Sequence, residues 1–444
     1  MQRQKKIAKW LAIVLLFTMA VGAYIMYDAL YVNGDNGTAA GTDGVRQPDD
    51  QTPPPDGTPD AEPDPPYYTE LPRAIQSFGA TEVFNAGGEG DDSLAAAVFA
   101  GTTTLLFFNT DSEEYDCRGK GAYCAVFTSE QLLSVKRLSA DETVTDAKLT
   151  TEGVTVLSRT ATGGKLRLLG TDGSEKAVSD FPLYSDAEIH VGANNSTHVY
   201  YIGDGNLRHA KIGTGLQPVV SSFVCSANVS EIGHVVTSVQ SDLIVANTST
   251  GGVLVLSFSQ ESGFTITESI EKASFLQLAA VAGETAPAFC ILLSLADKLM
   301  LSVLDERGVE TVSRVVENRS RGALFSDGVS LTLVCNGITE IYCRHLDVIA
   351  SSSTSVRFDE VLFAKTSAGR KLLGYVSGET FGILSVQSDN STDSLFRCDT
   401  EIPALICSAA DSENLHIAFS CSLTQGLFYQ NFGKKDVFLF SVAF

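Results

Sequence analysis

The chain has 444 residues, a formal net charge of −22 and 44% hydrophobic residues. That acidity argues against nucleic acid and polyanionic polymers as ligands, through plain repulsion. Nine cysteines with no C-x-x-C pair, and six histidines without H-x-x-x-H or H-E-x-x-H spacing, argue against the common metal motifs.

The first predicted element is a membrane anchor over residues 1–32. Arg3, Lys5, Lys6 and Lys9 precede an uncharged run from Trp10 to Tyr27. Eighteen helical residues span about 27 Å, close to the roughly 30 Å hydrocarbon core of a bilayer. The basic flank places the N-terminus in the cytoplasm and the remainder of the chain outside. Trp10 and Tyr27 stand where interfacial aromatics fix such a helix. A cleaved signal peptide is the rival reading, but its apolar region is usually only about 7–15 residues.

A linker follows over residues 33–66. It holds eight of the chain's 13 prolines and a net charge of −7, with almost no large apolar side chain. Such a segment cannot bury enough surface to offset its ordering entropy, so it reads as a disordered, extended spacer.

Residues 67–444 form the third predicted unit, an extracytoplasmic domain carrying −18 and no Trp. Cys117 and Cys124 flank a short loop with two glycines, and an oxidising exterior would favour a disulfide there. Cys290, Cys335, Cys343, Cys407 and Cys421 sit inside apolar runs and read as buried free thiols. The segment Ala286 to Leu304 is strongly apolar, but Asp297 and Lys298 interrupt it. It therefore reads as two buried strands joined by a tight turn and not as a second membrane span.

Helical periodicity is absent from this unit. Runs of six to nine residues rich in Val, Leu, Ile, Phe and Thr alternate with Gly, Asp, Asn and Ser. Similar strands start at residues 123, 166, 207, 254, 299, 340, 382 and 426, a step of 41 to 47 residues. Each step holds about four strand-like runs. In the fifth unit they are 275–282, 288–295, 298–304 and 309–316. A repeat of 40–50 residues with four strands each predicts a β-propeller, because no single blade can bury both its faces. The expected fold is all-β, with eight four-stranded blades, or alternatively seven with 74–84 supplying a strand that closes the ring.

The strand pattern Leu299 to Leu304 ending in Asp305-Glu306-Arg307-Gly308 resembles the third strand of divergent quinoprotein-like and YVTN-type propellers. The resemblance covers roughly residues 74–444 and concerns architecture. The Trp docking motif of quinoprotein blades is missing, so the resemblance implies no cofactor.

No nucleophile elbow, phosphate loop or calcium loop is legible. His190 and His198 are placed to lie on adjacent strands of one blade, and scattered structural histidines are the simpler reading. No catalytic residue, cofactor or metal ligand is assigned, and the sequence leans away from an enzyme. The expected role is a membrane-tethered binding or scaffolding module with a protein partner in the cell envelope. A hydrolase or lyase with its site at the propeller axis is the alternative.

Overall fold

In a computed structural model, the described residues are 75–76, 81–85 and 91–443, apart from 112–118, 129–130, 240, 284–285, 355, 368–369, 379, 388–390, 400–404, 411–413 and 423–434. The expected anchor with Trp10 and Tyr27, and the expected linker, lie outside them. No helix among the described residues is long and apolar enough to cross a membrane.

Hydrogen bonding sorts the described strands into eight antiparallel sheets. Seven of them run in chain order, innermost strand first, and we number all eight by their residues: I (92–139), II (143–181), III (186–225), IV (229–271), V (274–316), VI (322–353), VII (360–399) and VIII (405–443). Sheet VIII is the exception in its make-up. Its strands Leu405–Ala410, Asn414–Ser422 and Lys435–Ala443 are completed by Thr81–Asn85, which pairs with Lys435–Ala443. The expected closing strand from the start of the domain is therefore present. Ile75–Gln76 adds a short fifth strand to the outer edge of sheet VII.

Burial explains why these segments are strands. The middle strands are covered on both faces by neighbouring sheets, so they read as continuous apolar runs; in Leu331–Cys335 every residue is buried. The outer strand Gln131–Ser139 has one solvated face and mixes exposed with half-buried positions. Tight turns join them. Asp204 and Gly205 both have positive φ, 52° and 73°, the signature of a two-residue hairpin turn. The Ala286–Leu304 segment is a hairpin, Pro287–Leu295 paired with Lys298–Leu304.

The core lies between sheets. Tyr200, Ile202 and Leu207 of sheet III pack on Ile244, Leu254 and Leu256 of sheet IV. Leu94, Leu106 and Phe108 of sheet I pack on Val437 and Leu439 of sheet VIII, which closes the ring of sheets. Each fully buried Leu or Phe contributes about 1.5–3 kcal/mol. The molecule is an all-β propeller of four-stranded blades.

Polar side chains also tie successive sheets from I to VI. The innermost strands have one edge without a ladder partner, and side chains of the preceding sheet supply it. Asn109 Oδ1 accepts from Val144 N at 2.8 Å, and Asn109 Nδ2 donates to Val144 O at 3.1 Å. Asp146 accepts from Ile189 N and Asp186 from Ile232 N, each at 2.7 Å. Asn247 serves Phe275 N at 3.0 Å in the same way. Gln277 reaches furthest. Its Oε1 accepts from Leu324 N at 2.9 Å, and its Nε2 donates to Leu324 O at 2.5 Å and to Ala364 O at 2.9 Å. One side chain of sheet V thus bonds to sheets VI and VII.

Candidate functional site

The richest polar cluster sits between sheets III and IV, at the rim formed by first-to-second and third-to-fourth strand turns. A cavity of about 650 Å³ opens there. Asn194, Ser196 and His198 line it from sheet III, and Asp242, Phe258 and Glu261 from sheet IV. None of its described lining residues is Lys or Arg.

Local folding explains how these groups meet. The turn after Asp186–Val191 passes through Asn195 at φ 59°, and the chain returns as Thr197–Gly203. That pairing sets His190 directly across from His198. His209, on the following strand, pairs with Tyr200. The sheet IV strand Asp242–Thr248 begins with the carboxylate that the cluster surrounds.

Asp242 is the centre. Tyr200 OH donates to its Oδ2 at 2.6 Å. His190 Nε2 lies 3.4 Å from Oδ1 and 2.7 Å from Thr237 Oγ1, which is itself 3.4 Å from Oδ1. Burial opposes the charge on Asp242, but the hydrogen bonds from His190 and Tyr200 hold its carboxyl below the usual range. Burial and the neighbouring carboxylate push the Tyr200 phenol up, so it stays a donor.

A second chain of bonds runs outward from His209. His209 Nε2 and His198 Nδ1 are 2.8 Å apart, His198 Nε2 and Ser196 Oγ 2.5 Å, and Ser196 Oγ and Asn194 Oδ1 2.6 Å. Burial lowers the pKa of His198 and takes His209 down to about 4, so both rings are neutral at pH 7. Each then has one N–H to give. His209 Nδ1 is buried without a partner. A bare ring nitrogen there costs less than a buried N–H, which puts the proton of His209 on Nε2. The direction of the chain follows. His209 donates to His198, His198 donates to Ser196, and Ser196 donates to Asn194. The serine hydroxyl is given away to an amide and not to a base, so it is not activated for attack.

A second group of titratable residues lines the innermost strands. His234 Nδ1 is 3.6 Å from Glu188 Oε1. Burial raises the Glu188 carboxyl to about 7 and takes His234 down to about 4. No group of three or more metal-binding side chains is found among the described residues.

The sequence placed His190 and His198 on adjacent strands, and the structure brings them together with Asp242. It missed Tyr200 and His209, which stand on the same sheet III, and Asp242, which joins them from sheet IV. Of the candidate disulfide, Cys117 lies outside the described residues. Cys124 stands as a free, buried thiol in Gly121–Thr128, pushed up to about 12 by burial. Cys290 and Cys335 are buried free thiols, as expected; Cys343 is half-buried.

Comparison with known proteins places the architecture. No protein-family model matches the sequence, and no curated protein sequence matches it. Among solved structures the chain is similar to the Dos1 propeller, with a TM-score of 0.52 at 10% identity over 83% of this chain and 96% of that one. It is also similar to a protein from Lactobacillus plantarum, with a TM-score of 0.42 at 11% identity over 70% and 97% of the two chains. The likeness is one of fold.

Proposed function

We propose that the chain is a membrane-tethered, extracytoplasmic β-propeller that binds and does not catalyse. On this reading the cleft between sheets III and IV receives a basic or hydrogen-bond-donating group of an envelope protein partner. One observation carries the reading. The cluster directs its donors outward from His209 to Asn194, leaving Ser196 unactivated beside a carboxylate-lined cleft with no described Lys or Arg. The uncharged run Trp10 to Tyr27 and the acidic spacer support the tether and the location.

The test uses the tagged full-length chain in detergent, mixed with solubilised envelope proteins of its own source. A discrete partner should be captured, and E261K, a charge reversal at the exposed cleft mouth, should release it. Capture that is absent, or indifferent to E261K, would sink the reading.

A hydrolase is the second reading, and the short Ser196–His198 contact is the observation in its favour. Covalent labelling of Ser196 by a fluorophosphonate probe would sustain it. The donor direction predicts no labelling.

A further inference from the structure

A second pocket lies beside sheet VII, away from the histidine cluster. It encloses about 420 Å³ between the segment Val356–Arg357, which leads out of sheet VI, and the second to fourth strands of sheet VII. We propose that this pocket binds an oxyanion of the phosphate, sulfate or carboxylate type.

The argument begins from charge. The chain carries −22, and its surface as a whole repels anions. Yet Arg357 and Arg397 line this one pocket together. Arg357 has no ion pair and no hydrogen bond among the described residues, although acidic side chains outnumber basic ones by 53 to 31. Arg397 Nη2 donates to Thr380 Oγ1 at 3.4 Å. A guanidinium is a rigid fork of donors that matches the spacing of two oxygens on one phosphorus, sulfur or carbon atom.

The rest of the lining supplies donors without further charge. Ser377, Thr380 and Ser394 offer hydroxyls. The Tyr375 phenol, raised by burial and drawn partly back by Arg397, remains protonated and adds another. Leu384 and Val356 provide apolar wall, which strengthens the interactions of the charged groups. Asp393 is the opposing charge, and Gln387 Nε2 covers its Oδ2 at 2.8 Å.

The backbone makes room for this arrangement. Gly382 pairs with both Tyr375 and Arg397 across the sheet. A Cβ on Gly382 would lie 2.7 Å from Tyr375 Cζ and 2.8 Å from its hydroxyl oxygen. Only glycine lets the phenol lie across the strand beside the guanidinium.

The test titrates the full-length chain in detergent with inorganic phosphate, sulfate and acetate at constant ionic strength, read by calorimetry. Saturable binding of at least one anion is expected, and the ranking of the three separates tetrahedral oxyanions from carboxylates. R357A and R397A should each weaken it about 10- to 100-fold, the range of a charge-assisted hydrogen bond. R357K/R397K keeps the charge and loses the fork, and should weaken binding as well. G382A displaces the phenol without touching charge and should also weaken it, whereas E261K in the other cleft should not. Thermal unfolding without anion checks that each variant is folded. Absence of saturable binding by all three anions overturns the proposal. So does wild-type affinity in the folded R357A/R397A or R357K/R397K double variant.

Discussion

Gln277 offers the sharpest test of how the ring is held. Its side chain makes three hydrogen bonds, two to Leu324 and one to Ala364, at 2.5–2.9 Å. In Q277A the Leu324 amide and the Leu324 and Ala364 carbonyls lose these partners on the open edges of two innermost strands. At roughly 0.5–1.5 kcal/mol net per bond the loss is about 3 kcal/mol, reduced toward 2 because the half-buried site admits some water. That is a large share of the roughly 5–15 kcal/mol that stabilises a folded domain. Urea unfolding of the full-length chain, followed by circular dichroism, should show a lower midpoint with the slope unchanged. Q277E extends the logic. Its carboxylate still accepts from Leu324 N but turns an oxygen toward two carbonyls. The folded chain then favours the protonated form, so the new group's pKa is raised above its unfolded value. Q277E should approach wild type below about pH 4 and fall behind as pH rises. A Q277A chain within about 0.5 kcal/mol of wild type, or a Q277E deficit that does not vary with pH, would refute the account.

Three further outcomes follow from the buried groups. His198, His209 and His234 all have lowered pKa values, the last two to about 4, so the unfolded chain binds protons first as pH falls. The histidines withdraw stability between about pH 6.5 and 4, while Glu188, raised to about 7, contributes in the opposite direction, so the sign is read from the difference: H209F should gain on wild type as pH falls through that window when denaturant midpoints are compared. Asp242 is held as a carboxylate, so D242N should cost about 1.5–3 kcal/mol at pH 7. That deficit should shrink as acid titrates wild-type Asp242 through its lowered pKa; a deficit constant with pH would contradict the assigned charge. Cys124 is pushed up to about 12 and Cys290 and Cys335 are likewise raised by burial. A thiol reagent at pH 8 should therefore leave all three unmodified until the chain unfolds, and peptide mapping without reductant shows whether Cys124 is instead joined to Cys117.

Much of the fold was legible because a propeller blade repeats one physical problem. A strand covered on both faces must be apolar throughout, and that pattern recurs at each turn of the ring. In sheet V the sequence reading and the structure agree to within one residue at every strand end. The last repeat was harder. The start expected at Gly426 lies outside the described residues, and the corresponding strand is Lys435–Ala443. The histidine cluster was half legible. The pairing of His190 with His198 follows from a hairpin, which is local. Asp242 joins them across a sheet boundary, and no spacing rule reports that. The blade-to-blade bonds of Asn109, Asp146 and Gln277 were invisible for the same reason, since each is a single polar residue in an unremarkable strand.

The pairing of Thr81–Asn85 with Lys435–Ala443 has a consequence for biosynthesis. A strand made at the start of the domain waits for the last one. Every other sheet takes its four main strands from one continuous stretch and is able to assemble as the chain emerges, but this seam stays open until residues near 443 are available. During that interval the nascent ring presents unpaired strand edges, the kind of surface that draws in other chains. The long-range closure that makes the finished ring secure also makes it slow to complete.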